Sequence, residues 1–184
     1  SVEKEACPLG AAPTTSTTLT MALGDALAVA LMEERGFRQE DFASFHPGGS
    51  LGKKLFVKIK DLMRTEDLPV IHASATLKEA IVRMSEGKLG TVLIVDASDR
   101  FIAILSDGDL RRALMKEGFS LDHLAIEYAS RDPKSYTNTD LLASDALEII
   151  EKSRIQLLPI TNDRGNIIGV LHIHDLINAG IKSK

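Results

Sequence analysis

The sequence predicts an α/β fold of the α+β kind, two β-α-β-β-α units in tandem preceded by a helical segment. Three observations predict it. Displacing the chain by 66 positions without gaps lays residues 91–110 over 157–176, and apolar positions coincide: Val92 with Leu158, Ile94 with Ile160, Ile102 with Ile168, Ile104 with Val170, Leu105 with Leu171. Each copy sets a segment of helical apolar period beside two short β-branched runs parted by turn residues. The chain before about Gly52 has neither run, only one long stripe of helical spacing. A unit of this size that recurs only twice is a duplicated supersecondary unit, not a solenoid.

The elements follow in order. Residues 8–18 form a loop rich in Gly, Pro and Thr. Leu19, Ala22, Leu23, Ala26, Leu27, Ala30 and Leu31 then recur at i, i+3, i+4, i+7, i+8, i+11 and i+12, one helical face that Met21, Val29 and Met32 widen. Thr17 or Thr18 suits the cap, and Gly36 the stop. So much apolar surface expects cover from a neighbouring subunit or from the repeat. In the first copy a short strand around Val70-Ile71 leads to Thr76-Leu77-Lys78-Glu79, which has the spacing of a capping box. Strands at 91–95 and 101–105 then flank Asp96-Ala97-Ser98-Asp99-Arg100. In the second copy a strand around Ser135-Tyr136 precedes the helix, and strands at 157–161 and 167–171 flank Asn162-Asp163-Arg164-Gly165-Asn166. Both spacers are hairpin turns by composition. The helices register too, since Ala80, Ile81 and Met84 overlie Ala146, Leu147 and Ile150. Each last strand runs directly into a short helix, near Asp107 and near His174. Three short strands cannot bury both faces alone, so the copies should pack into one domain.

Composition excludes several classes. With 22 Lys+Arg against 26 Asp+Glu the formal charge of the 184 residues is −4, and no basic cluster offers a nucleic-acid footprint. Apolar residues at 44% argue against disorder. No apolar run approaches the ~18 residues of a membrane span, so no membrane is expected. Cys7 is the single cysteine, which excludes an intramolecular disulfide and a Cys-rich zinc site and suits a reducing cytosol. The opening Ser1-Val2-Glu3-Lys4-Glu5 has neither a Met nor a signal peptide and reads as a cut end.

The junctions after the last strands are the specific feature. The first reads Ser106-Asp107-Gly108-Asp109-Leu110, the second His172-Ile173-His174-Asp175-Leu176. Two β-α-β-β-α units with such junctions resemble a CBS domain pair over about residues 59–180. The resemblance implies adenine-nucleotide binding in the cleft between units, with a hydroxyl and a helix start facing phosphate and the Asp taking ribose hydroxyls. Exposed N–H groups and the positive dipole end suit an anion. The second junction keeps the Asp without the hydroxyl. Earlier stretches narrow the family. Glu5-Ala6-Cys7-Pro8-Leu9-Gly10, Ala12-Pro13-Thr14-Thr15-Ser16-Thr17-Thr18, Gly24-Asp25-Ala26 and Phe45-His46-Pro47-Gly48-Gly49 resemble the end of the sugar-isomerase (SIS) domain of arabinose-5-phosphate isomerases. In that family a SIS domain precedes a CBS pair, and the enzymes interconvert ribulose 5-phosphate and arabinose 5-phosphate for the lipopolysaccharide sugar Kdo.

What the resemblance implies is therefore bounded. Residues 1–52 are expected to be the end of a SIS domain, 53–118 the first CBS unit and 119–184 the second. Glu5 and His46 match family active-site residues, while the family's lysine and second glutamate lie upstream and have no counterpart here. A carboxylate can move the proton of an enediol and a His can polarise oxygen, yet solvated Glu and loop His are the usual case. The parent is expected to be an isomerase and this piece inactive. The expected ligand residues are Ser106, Asp107, Asp109, His172, His174 and Asp175, with the two junctions facing each other across one cleft. Helix capping by both aspartates is the open alternative. His172 and His174 share one face of an extended segment, but a polar ligand or merely local hydrogen bonding outweighs a metal there, so no metal and no cofactor is expected. The expected partner is a small anionic metabolite (an adenine nucleotide, CMP or CMP-Kdo) in a cytoplasmic homo-oligomer, dimer or tetramer. The rival is an oligomerisation module that binds nothing.

Overall fold

The structure, a computed structural model, describes residues 2–182. Contacts divide it into two units, residues 1–47 and 48–184. The first holds helices α1 (Thr15–Glu34) and α2 (Gln39–Phe45). Helix α1 begins ahead of Leu19 because the Glu5 carboxylate takes the N–H groups of Thr14, Thr15 and Ser16 at 2.8, 2.7 and 3.2 Å. It stops at Gly36, whose φ of 60° completes the turn. No residue of α1 is buried, so the first unit by itself does not supply the cover expected for its stripe. Met21 and Leu23 are 65% and 70% exposed. The helix is apolar nearly all round rather than along one face, the pattern of an element built to be enclosed. At 20 residues and a mean hydropathy of 1.3, α1 is long and apolar enough to span, because its Thr, Ala and Gly interrupt the apolar run without making the helix polar. A helix enclosed in a larger soluble domain passes the same test.

The second unit begins with short helices α3 (Ser50–Phe56) and α4 (Ile59–Leu62). The first copy follows as β1 (Val70–His72), α5 (Leu77–Gly87), β2 (Thr91–Val95), β3 (Phe101–Ser106) and α6 (Asp107–Leu114). The two-residue strand β4 (Ser130–Arg131) leads to the second copy, α7 (Ala143–Ser153), β5 (Leu157–Thr161), β6 (Ile167–His172) and α8 (Ile173–Asn178). The order β1-β2-β3-β4 makes one sheet, parallel at β1–β2 and antiparallel elsewhere, and β5-β6 makes a second. Single bridges complete the symmetry. Tyr136 pairs in parallel with Ile160 and Arg64 antiparallel with Val170, as β1 and β4 do in the first copy. Even the register shifts correspond, at Ile94/Val95 and at Ile160/Thr161.

Local chemistry explains the elements. Thr76 and Glu79 form the expected capping box, Glu79 Oε2 accepting from Thr76 N at 2.7 Å and Thr76 Oγ1 from Glu79 N at 3.3 Å. In the hairpins Asp96 Oδ1 accepts the N–H groups of Ser98 and Arg100, and Asn162 Oδ1 those of Arg164 and Asn166.

The copies exchange leading segments. Ile59 is fully buried among Ala146, Ile150, Leu158 and Leu171 of the second copy, and its N–H donates to Leu141 O at 2.9 Å. In return Ala125 enters the core of the first copy with Leu77, Val92 and Leu105, and its N–H donates to Ala75 O at 2.9 Å. Leu89, Leu93, Leu157 and Val170 form a third cluster that joins the copies. Gly169 makes the Arg64 bridge possible, since a Cβ there would stand 2.9 Å from Arg64 O.

Candidate functional site

Two clefts lie at the seam of the copies, and part of their lining corresponds under the 66-residue shift: Ser130 with Arg64, Arg154 with Lys88, Ile155 with Leu89 and Ile104 with Val170. The first, about 540 Å³, is lined by residues 106–109 at the start of α6, by Arg111 and Arg112, by Gly90, by Ser130 and by residues 154–157 of the second copy. The second, about 240 Å³, is lined by Arg64, residues 66–69, residues 86–89 and Val170.

Ser106 is the N-cap of α6. Its N–H and hydroxyl donate to Asp109 Oδ2 at 2.9 and 2.6 Å, and Asp109 N donates back to Ser106 Oγ at 3.2 Å. Arg112, one turn further on, pairs with the other Asp109 oxygen. Burial opposes ionisation of Asp109, but hydrogen bonds from Ser106 and Arg112 outweigh it and hold the carboxyl below its ordinary value. Asp107 is exposed, and its N–H donates to Gly90 O at 3.0 Å. Gly90 has φ 61°, and a Cβ on it would stand 2.9 Å from Asp107 Oδ2, so glycine keeps that wall close to the helix start. The cleft thus offers hydroxyls, the N-terminal end of an eight-residue helix and three arginines against two aspartates.

The second junction is arranged differently. His172 is buried and is the N-cap of α8, its Nδ1 accepting from His174 N at 3.2 Å. Burial first, then the neighbouring His174, depresses the His172 pKa and keeps the ring neutral. The exposed His174 ring lies 5.2 Å from it, centroid to centroid. Asp175 is held by Arg64, whose Nε and Nη2 donate to its two oxygens at 2.8 and 2.7 Å. That fork, foremost, lowers the Asp175 pKa.

The structure therefore brings Ser106, Asp107 and Asp109 together around one cleft, while His172, His174 and Asp175 do not line it. The single cleft expected to join the two junctions is corrected: Ser106, Asp107 and Asp109 line the first cleft, and His172, His174 and Asp175 line neither it nor the second. Arg154, Ser130 and Gly90 were missed as lining residues. Their signal was the repeat itself, which sets Arg154 over Lys88 and Ser130 over Arg64.

Glu5 and His46 belong to the first unit. The Ser16 hydroxyl, foremost, with the N–H groups around it, brings the Glu5 carboxyl down to about 2. So placed, Glu5 is the counter-charge of the α1 N-terminus and a weak base. His46 is exposed beyond α2, its ring 5.0 Å from that of Phe42. Among the described residues no hydrogen bond or ion pair links the two.

Comparison with known proteins bears on the family and the fold. The chain is 52% identical, over 99% of its length, to an uncharacterised protein of Helicobacter pylori strain J99, of which it covers 55%. It is 44% identical, over 98% of its length, to arabinose 5-phosphate isomerase KdsD of Yersinia pestis, again covering 55%. It thus spans about half the length of the curated relatives it matches. A CBS domain protein of Pyrobaculum aerophilum complexed with AMP has the same fold, with a TM-score of 0.57 over 65% of this chain and 90% of that one, at 24% identity. The family model of the CBS domain matches residues 59–116 and 125–182, one stretch for each copy. Two copies, two clefts and two matched stretches lead to one conclusion: the chain belongs to the CBS-domain family.

Proposed function

We propose that the two copies are the regulatory, ligand-binding half of an arabinose-5-phosphate isomerase, and that the first cleft binds a small anionic nucleotide. The observation that carries this is the composition of that cleft. Arg111, Arg112 and Arg154 surround a helix start with Ser106 and Ser130 beside it, an arrangement suited to phosphate. The isomerase half of the reading rests on 44% identity to KdsD of Yersinia pestis. Ser106, Asp107 and Asp109 are the ligand-binding residues on this reading, and His172, His174 and Asp175, their counterparts in the second junction, line neither cleft. Glu5 and His46 contribute to the isomerase site only within the longer protein, where upstream residues complete it. The protein works in the cytoplasm as a homo-oligomer. Calorimetry and thermal melting with AMP, ATP, CMP and CMP-Kdo test the ligand. One of them should give a binding isotherm and raise Tm, because a ligand that binds only the folded state stabilises it. No heat and no shift with any of the four overturns the reading and leaves a module for oligomerisation alone.

A further inference from the structure

Resting on the nucleotide reading of the first cleft, a further inference concerns how many ligands one chain takes. Ser130 and Arg64 are equivalent under the 66-residue shift. Ser130 pairs with Ile104 on β3, and Arg64 pairs with Val170 on β6. The backbone at these places is the same, and the side chains are not. A serine leaves the first cleft open at about 540 Å³, whereas the second, with an arginine in that place, measures about 240 Å³. The guanidinium does not point idly to solvent. It grips both oxygens of Asp175, the counterpart of Asp109, at 2.7 and 2.8 Å. Charge divides the clefts in the same sense. Arg64 and Lys88 face Glu66, Asp67 and Glu86 in the second cleft, so with Arg64 already paired its rim is acidic and repels an anion.

We propose that Arg64 is a built-in occupant of the second cleft, so that each chain binds one anionic nucleotide, in the first cleft alone. Stoichiometry tests this, measured by calorimetry on the 184-residue chain. AMP should bind the unaltered chain at one site. Ser130→Arg, which transplants the occupant, should weaken AMP by at least tenfold. Arg64→Ser, and Arg64→Gln as a milder change, should leave the AMP site intact. Both should gain one site for uncharged adenosine, since Asp175 is freed while the acidic rim still rejects phosphate. Two AMP sites on the unaltered chain, unchanged AMP binding in Ser130→Arg, or no adenosine site in either Arg64 variant each overturns the inference and leaves the nucleotide reading standing. Failure of the unaltered chain and of every variant to bind either compound overturns the inference, and the nucleotide reading falls with it when ATP, CMP and CMP-Kdo also give no heat.

Discussion

Lys88 and Arg154, 66 positions apart, close α5 and α7 in the same left-handed conformation, with φ 53° in each. A side chain in that region costs about 1 kcal/mol relative to glycine, the usual residue at such a helix end. The two positions differ in what they border, Lys88 the second cleft and Arg154 the first. Lys88→Gly should therefore raise stability by up to about 1 kcal/mol and leave AMP affinity unchanged. Arg154→Gly should raise stability alike but weaken AMP several-fold. Thermal melting with and without AMP reads both, and equal affinity in the two variants would count against an anion site beside Arg154.

The segment exchange has a sharper consequence. Ile59 precedes the whole first copy in sequence but is buried in the core of the second. Ile59→Ala should cost about 2–5 kcal/mol, and the loss of hydrogen-exchange protection should fall first on β5, β6 and α7. Leu77→Ala, in the other core, should expose β2 and β3 first. Equal loss across both sheets in Ile59→Ala would show that the two cores do not open separately.

How far the fold could be read beforehand depends on where each signal sits. The repeat, the hairpin turns and the Thr76–Glu79 box are local patterns, so period and spacing revealed them. The position of Ile59 was hidden, because its partners Leu158 and Leu171 are about a hundred residues away and leave no mark on the sequence beside it. Arg64 was hidden for the same reason, since its role depends on Asp175. The junctions were found as motifs, but motif alignment says nothing about which cleft each one faces. Helix α1 shows the opposite failure. Its i, i+4 stripe is real and Met21, Val29 and Met32 spread apolar surface beyond it, but spacing along the helix says nothing of what covers that surface.

Glu5 gives a pH prediction for the start of α1. Its carboxyl lies at about 2 in the folded chain against an ordinary 4.5, a lowered value. The stabilisation is therefore fully present above about 4.5 and is lost as pH falls toward 2. NMR secondary shifts of residues 14–18 should hold from pH 7 to 5 and decay toward random coil between 4.5 and 2. Glu5→Gln should remove that pH dependence and leave the first turn frayed at every pH. A first turn that melts only along with the rest of the chain in acid would contradict this role.

Asp109 allows its two roles to be separated. As the N3 residue of the α6 capping box, it takes the N–H and hydroxyl of Ser106. Its other oxygen is paired with Arg112, whose side chain is 71% exposed, and such a partner is readily displaced. Capping alone predicts that Asp109→Ala costs about 1 kcal/mol of stability, much as Glu79→Ala should in the box that starts α5. A carboxylate that also receives the hydroxyls of a bound nucleotide predicts more. Its removal leaves those hydroxyls unpaired, a loss of about 2 kcal/mol or more in binding. The comparison of Asp109→Ala with Arg112→Gln completes the argument. Losing Arg112 frees the second oxygen but also takes a cation from the cleft, so affinity for AMP should fall while affinity for adenosine is kept or improved. Calorimetry with both compounds distinguishes the cases. Asp109→Ala should weaken AMP and adenosine together, and affinity unmoved for both would leave Asp109 a cap and nothing more.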